Sequence, residues 1–316
     1  MLEQKLDLSI IIPLLNEEES VIELHRQVNS VLKTLGRSYE IICVDDGSTD
    51  KTAALLSGLN DPNLVIIRLR RRFGQTAAMS AGLDHAQGEV IIMMDGDLQN
   101  DPQDIPRLLD KMQEGYDIVS GWRKNRKDAF ISRTLPSRIA NWLIGFMTGV
   151  KLHDYGCSLK AYHRDVMKDL KLYGEMHRFI PALASWYGAN VAEIPVTHHP
   201  RQFGKSKYSI TRVTRVVLDL LTVKFLLSFI TKPLQIFGIF GLSSFSIGTL
   251  ICLYLSFLKL VLQHQIGNRP LLWLGVLLII VGIQLIIFGL LAEMLARTYF
   301  ESQSKKIYAI REVIQK

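Results

Sequence analysis

Residues 90–100 read VIIMMDGDLQN. Five apolar residues run without alternation into two aspartates, Asp95 and Asp97, separated by one glycine, with Gln99 two positions further on. An apolar run of that length with no polar face is the mark of a strand buried on both sides. A carboxylate pair at its end is self-repelling unless a polar turn or a cation lies between the two groups. The same pattern recurs along the first half of the chain. LSIIIPL (8–14) runs into LNEE, EIICVDD (40–46) runs into GSTD, and LVIIRL (64–69) and DIVSGW (117–122) complete five strands. Helical stretches separate them: NEEESVIELHRQVNSVLKTLG, stopped at Gly36; GSTDKTAALLSGL, starting near Thr49 or Asp50; TAAMSAGLDHAQG (76–88); and PQDIPRLLDKMQEG, with proline in its first turn and glycine past its end. This alternation predicts an α/β fold, a doubly wound, mostly parallel sheet with helices on both faces. Ligands of such sheets sit beyond the carboxyl ends of the strands. Acidic clusters at three strand ends therefore face one crevice.

The second half has a different solvent. No charged residue occurs between Lys232 and Lys259, or between Arg269 and Glu293. Each gap exceeds the roughly 20 apolar residues that cross a bilayer core. Basic residues precede the first gap (Arg201, Lys205, Lys207, Arg212, Arg215, Lys224, Lys232) and follow the second (Arg297, Lys305, Lys306, Arg311, Lys316), whereas the intervening loop carries only Arg269. The excess of Lys and Arg outside the hairpin predicts that both termini are cytoplasmic. The net charge of +7 is thus accounted for by a membrane surface, and no nucleic-acid motif competes with it. The expected organisation is a cytosolic domain over 1–208, an amphipathic interface helix over 209–232, transmembrane helices over 233–262 and 271–296, and a cytoplasmic tail over 297–316. A second amphipathic face, with apolar residues at 135, 139, 142, 143 and 146, is equally compatible with lying in the interface or packing on the sheet. Glycines at 238, 241, 248, 275, 282 and 289 permit close helix approach and make oligomerisation through the spans an expectation.

Several chemistries lack their residues. There is no G-x-G-x-x-G after a strand, and GKS at 204–206 has His199 where a phosphate loop needs glycine. Neither H-E-x-x-H nor G-x-S-x-G occurs. The opening segment MLEQKLDLSIIIPLL does not read as a signal peptide. Cys43, Cys157 and Cys252 are scattered and read as small packing residues. What remains is D-G-D-L-Q. Asp95, Asp97 and Gln99 offer few, hard oxygen ligands, which suits Mg²⁺ or Mn²⁺ held jointly with substrate phosphates.

PLLNEEES, VDDGSTDKT, MDGDLQNDP, HDYGCSLKAYHR and RQFGKSKYS, in that order, resemble family 2 glycosyltransferases, and within them the branch that moves a sugar from a nucleotide to a polyprenyl phosphate. The resemblance covers nearly the whole chain, hairpin included. It implies a nucleotide-diphospho-sugar transferase fold, an inner-membrane enzyme, and undecaprenyl phosphate as acceptor. The implied donor is UDP-glucose, and the implied assembly a homo-oligomer, by analogy a tetramer. Carried over by position, Pro13, Asn16, Glu17, Asp45, Asp46, Asp95 and Gly96 bind the nucleotide, with Asp46 on the base or ribose. Asp95, Asp97 and Gln99 hold the metal. Arg123 contacts the diphosphate, Arg133 and Ser137 hold the acceptor phosphate, and Arg201 and Lys207 close over the donor. Asp97 and Asp154 carry the catalytic roles.

Two positions depart from the family pattern. Arg71-Arg72-Phe73-Gly74 stands where relatives read R-N-x-G, and D-Y-G-C-S-L-K (154–160) where others read D-x-x-S-G-F-R. Asp154 is open to four readings: a general base, an orienter of neighbouring cations, a stabiliser of charge at the anomeric carbon, or a buried acid paired with a base such as Lys160 or Arg164. The second pKa of a phosphate monoester lies near 6, so the acceptor needs little help from a base. Two rival functions remain: a processive polysaccharide synthase, which would carry more spans and a Q-x-x-R-W motif, and a membrane-tethered nucleotide-sugar sensor, which would have no use for acceptor-phosphate residues.

Overall fold

The computed structural model describes residues 6–124, 141, 144–145, 148–168, 170, 176–200, 233–263, 270–302 and 310–315. The expected helix at 209–232, and Arg133, Ser137, Arg201 and Lys207, lie outside these residues.

Five strands form where the apolar runs predict them: β1 (Leu8–Leu14), β2 (Tyr39–Asp45), β3 (Leu64–Leu69), β4 (Val90–Met93) and β5 (Ile118–Trp122). Three more complete the sheet: β6 (Lys160–His163), β7 (Val191–Pro195) and β8 (Ile310–Gln315). The order is β7-β5-β6-β4-β1-β2-β3-β8. The central β4-β1-β2-β3 block is parallel, and so is β5 with β7, whereas β6 and β8 run antiparallel to their neighbours. In register, Leu14 sits beside Asp45 and Ile11 beside Met93, so β1 and β2 end level and the turn that follows β4 reaches the end of β1 at Gly96.

Both faces are covered, as continuous apolar strands require. On one face, α1 (Val21–Thr34) buries Val21, Leu24, Val28 and Leu32, a stripe at helical spacing. These side chains join Ile10, Ile12, Ile41 and Ile92, and Leu108 and Leu109 of α4 (Ile105–Gln113), in the main core. Between them in sequence lie the short α2 (Thr52–Gly58) and, on the opposite face, α3 (Gln75–His85). The buried residues of α3 are mostly small: Ala77, Ala78, Ala81 and Gly82. A Cβ added to Gly82 would stand 2.5 Å from Ile11 Cγ2, so the helix lies against β1 at a distance that only glycine tolerates there. Two short helices, α5 (Arg164–Lys168) and α6 (Ile180–Trp186), follow, the second preceded by a 3₁₀ turn at Met176–Arg178.

A second compact unit, residues 224–305, contains α7 (Pro233–Leu260) and α8 (Pro270–Ser302). Both are long and apolar enough to cross a membrane. Gly241 and Gly248 of α7 face Gly282 and Gly275 of α8. A Cβ at Gly248 would lie 2.6 Å from Gly275 O, and one at Gly282 would lie 2.6 Å from Phe245 N. These four glycines permit the close approach of the two helices within the chain.

The segment 297–316, expected to be a tail, is partly structured. α8 continues to Ser302, and IREVIQ pairs with β3, setting Glu312 opposite Arg68 in an ion pair. The physical reason is the edge of β3, whose exposed backbone donors and acceptors are satisfied by one more strand.

Candidate functional site

The ends of β1, β2 and β4 open into a cavity of about 290 Å³. Pro13, Glu17, Asp46, Asp95, Gly96, Asp97, Gln99 and Arg123 all line it, so eight of the expected residues converge. Asn16, Asp45 and Asp154 do not line it.

Each wall follows from local chemistry. Asn16 adopts φ 53°, a left-handed conformation that asparagine tolerates better than most residues. Its backbone N–H donates to Ser48 Oγ and its Oδ1 accepts from Thr49 N–H, both at 2.9 Å. The residue ties the loop after β1 to the loop after β2. Glu17 N–H donates to Thr52 Oγ1 (2.8 Å), extending the tie. Asp45 is buried, accepts from Ser48 N–H (2.9 Å) and lies 3.7 Å from Arg68 Nε. Asp46 accepts at both oxygens, from Phe73 N–H (2.7 Å) and Gly74 N–H (2.9 Å). Burial pushes its carboxyl above the usual range, and those two amides pull against that shift. Asp46 thereby fixes the loop after β3, bringing Arg72 and Gly74 to the cavity. Gly47, at φ 73°, makes this possible, because a Cβ there would stand 2.6 Å from the Arg71 backbone.

The D-G-D-L-Q turn is tight. A Cβ on Gly96 would meet Leu14 Cδ2 at 2.3 Å, and the Gly96 carbonyl lies 3.1 Å from the Ser20 hydroxyl. Leu98 takes φ 60°, a costly value for a leucine that turns the chain sharply after Asp97. Asp95 accepts from Gln75 Nε2 (2.7 Å) and Asp97 from Gln99 N–H (3.2 Å). Gln99 Nε2 donates to His199 O (3.4 Å), which leaves its amide oxygen as an acceptor. Among the described residues no third carboxylate, histidine or cysteine joins Asp95 and Asp97 in a ligand cluster. Two carboxylates and one amide oxygen fit Mg²⁺ or Mn²⁺ whose remaining positions are filled by phosphate and water, and they are too few for a closed protein cage.

Arg123, just past β5, grips Asp154 bidentately: Nε to Oδ2 at 2.7 Å and Nη2 to Oδ1 at 2.9 Å. Glu193 of β7 braces the pair from behind. Its Oε1 accepts from Asp154 N–H (3.0 Å), and its Oε2 lies 2.7 Å from Nδ1 of His153, whose ring stacks on Trp122. Of the four readings of Asp154, the geometry matches that of a buried acid which orients a neighbouring cation. The partner is Arg123, not Lys160 or Arg164.

Sequence reasoning passed over the inner wall, where Lys160, Tyr162, His177 and Arg178 join Met79 and Met93. Lys160 stood inside a quoted motif and carried a signal. His177 and Arg178 carried none, because the 3₁₀ turn that presents them has no periodicity. Burial holds the His177 imidazole well below its usual pKa, with Nδ1 2.7 Å from Thr76 Oγ1.

A sheet of this order with a paired carboxylate turn beyond β4 is the frame of a glycosyltransferase that uses nucleotide-activated sugars. The chain belongs to glycosyl transferase family 2, whose model matches residues 9–171. It is 48% identical over 316 residues to the dodecaprenyl-phosphate galacturonate synthase of Rhizobium johnstonii, covering 98% of this chain and 94% of that protein. It is 39% identical over 311 residues to the undecaprenyl-phosphate 4-deoxy-4-formamido-L-arabinose transferase of Klebsiella pneumoniae, covering 97% and 93% respectively. Among solved structures, the glucosyl-3-phosphoglycerate synthase of Mycobacterium tuberculosis in complex with Mn²⁺ and UDP-glucose superposes with a TM-score of 0.54 at 16% identity. That match covers 69% of this chain and 79% of that one, and it shows the shared fold.

Proposed function

We propose that this glycosyltransferase moves a hexuronate from a uridine diphosphate donor onto a polyprenyl phosphate at the cytoplasmic face of the inner membrane. The observation that carries the reading is the convergence of Glu17, Asp46, Asp95, Asp97, Gln99 and Arg123 on one cavity at the strand ends. The lipid acceptor is supported by relatives aligned over nearly their whole lengths, both named for polyprenyl-phosphate chemistry. The hexuronate replaces the glucose expected from sequence. The sugars in those names are galacturonate and a formamido-arabinose, and the first belongs to the relative at 48% identity. Two helices of membrane-spanning length support anchorage, and the pairing of β8 with β3 supports a hairpin whose two arms both connect to the catalytic domain.

In this reading Asp95, Asp97 and Gln99 hold Mg²⁺ or Mn²⁺, which when bound offsets charge on the departing nucleoside diphosphate. A non-bridging oxygen of the polyprenyl phosphate, already deprotonated near neutrality, attacks the anomeric carbon from the face opposite the nucleotide. The new C–O bond forms as the bond to the diphosphate breaks, the electron pair leaves with UDP, and the anomeric configuration inverts. Asp154 holds Arg123 in a fixed orientation toward the diphosphate, so its contribution is positional. Arg133, Ser137, Arg201 and Lys207 remain assigned to the acceptor phosphate and to closure by resemblance. The test is transfer of labelled sugar from UDP-galacturonate into the organic phase by detergent-purified protein with undecaprenyl phosphate. Transfer stopped by EDTA and restored by Mn²⁺ is expected. Transfer untouched by EDTA would remove the metal assignment, and nucleotide binding without lipid-linked label from any donor would favour a sensor.

A further inference from the structure

The inner wall of the cavity carries a charge that the catalytic scheme leaves unused. Lys160 opens β6, where the register sets it beside Met93 of β4 and Ser120 of β5. Its side chain lines the cavity yet is only 2% exposed. Nζ donates to the Tyr155 carbonyl oxygen at 3.0 Å, and among the described residues no carboxylate lies within ion-pairing distance of it. The acid whose field reaches it, Asp154, is engaged by Arg123. A buried ammonium with one neutral acceptor is costly, and native structures rarely keep one without a compensating partner. Burial pushes the Lys160 pKa down to about 8, the response of a cation deprived of water and of a counter-charge.

Position identifies the kind of partner. Across the sheet, neighbouring strands β2, β1, β4 and β6 carry, at one end, Asp46, Pro13, the Asp95–Asp97 turn and Lys160. Strands lie about 4.8 Å apart. Lys160 therefore stands one strand beyond the carboxylate pair, on the side away from Asp46. A donor laid with its nucleoside near Asp46 and its diphosphate at Asp95 and Asp97 extends its sugar, a ring about as wide as one strand spacing, over β6. Beside it His177, held neutral by burial, is a hydrogen-bonding partner suited to a hydroxyl.

We propose that Lys160 sets the donor sugar, its ammonium receiving the carboxylate of a hexuronate in the inner wall one strand beyond the Asp95–Asp97 turn. This rests on the functional reading above and names the residue that recognises the acidic sugar. A nucleotide-linked uronate offers two anions, the diphosphate and the carboxylate, and the test separates them. Full-length protein in detergent with Mn²⁺ is titrated with UDP, UDP-galactose and UDP-galacturonate. The two sugars differ only in the group at C6. Wild type is expected to favour UDP-galacturonate over UDP-galactose by roughly 10–100-fold, the range for a hydrogen-bonded charge pair. Lys160→Met and Lys160→Gln are expected to erase that preference while leaving UDP affinity within about twofold of wild type. Gln keeps a donor for the Tyr155 carbonyl, so agreement between the two variants separates loss of charge from disturbed packing. A variant that weakens UDP as much as UDP-galacturonate assigns Lys160 to the diphosphate and overturns the proposal. So does a preference that survives in both variants, or its absence in wild type. Wild type that binds none of the three ligands overturns the functional reading itself, a failure visible before any variant is made.

Discussion

Replacing Asp154 with alanine separates a positional role from a proton-transfer role. The Arg123 and Asp154 side chains are 14% and 4% exposed and share two hydrogen bonds of 2.7 and 2.9 Å. Little solvent screens the pair, and Asp154→Ala leaves a guanidinium in a site built to hold it against a carboxylate. Breaking such a pair from one side costs about 3–5 kcal/mol, most of it the penalty on the charge left behind. For a catalytic unit of this size that corresponds to a loss of roughly 6–20 °C in melting temperature. Removing both charges with Arg123→Met and Asp154→Leu takes the stranded cation away, and most of that stability is expected to return. Activity is not expected to return, because the proposed function gives Arg123 the donor diphosphate. The assay is thermal unfolding of the three detergent-solubilised variants beside wild type, with sugar transfer followed in parallel. Asp154→Ala as stable as wild type, or a double variant as unstable as the single, would refute the pair as the reason Asp154 is present. An Asp154→Asn enzyme that folds normally but requires higher pH for transfer would restore the general-base reading.

Asp97→Asn keeps the shape of a side chain that lines the cavity and removes its charge, and it is expected to lower transfer by at least 100-fold with little change in melting temperature; transfer at the wild-type rate would remove Asp97 from the metal site. The affinity advantage of UDP-galacturonate over UDP-galactose should be flat below pH 8 and fall above it by up to about tenfold per pH unit. Lys160 must keep its proton to hold an anion, and its pKa in the free protein is about 8. The groups facing it pull both ways, Asp154 and Cys157 upward, Arg123 and Arg178 downward, and none of the four outweighs burial. An advantage that persists unchanged to pH 10 would contradict this. Gly282→Val should part the two apolar helices, since even a Cβ there stands 2.6 Å from the Phe245 backbone; cysteines at Ser244 and Leu278, where the Ser244 hydroxyl lies 2.9 Å from the Leu278 carbonyl oxygen, would then crosslink less efficiently than in the parent, and undiminished crosslinking would count against the packing.

Much of the frame was legible because buried parallel strands write themselves as unbroken apolar runs, and β1 to β5 formed where LSIIIPL, EIICVDD, LVIIRL, VIIMMD and DIVSGW stood. The three missed strands have other signatures. β6 is only four residues long and opens on a lysine, inside a motif whose polar residues masked it. β7 is half-buried and ends in proline. β8 lies past the apolar helices, and its alternating IREVIQ has meaning only once the edge of β3 is there to receive it. At the site, motif order located the cavity but not the division of labour within it. Asn16, Asp45 and Asp154 sit in conspicuous polar clusters, yet their bonds hold loops and neighbouring side chains in place. Conversely, Lys160 drew notice only as a neighbour of Asp154. That no carboxylate among the described residues lies within ion-pairing distance of it is a tertiary fact, set by β6 inserting between β4 and β5.

A cavity that passes an acidic sugar to a lipid phosphate leaves a product that can be weighed directly. Detergent-purified protein would be given undecaprenyl phosphate, Mn²⁺ and an equimolar mixture of UDP-galacturonate and UDP-glucose, and the extracted lipid weighed by mass spectrometry. One new species is expected, the polyprenyl phosphate plus a hexuronate, absent when EDTA is added. A hexose adduct would contradict the sugar assignment, and unmodified lipid with either donor would contradict transfer to a lipid phosphate altogether.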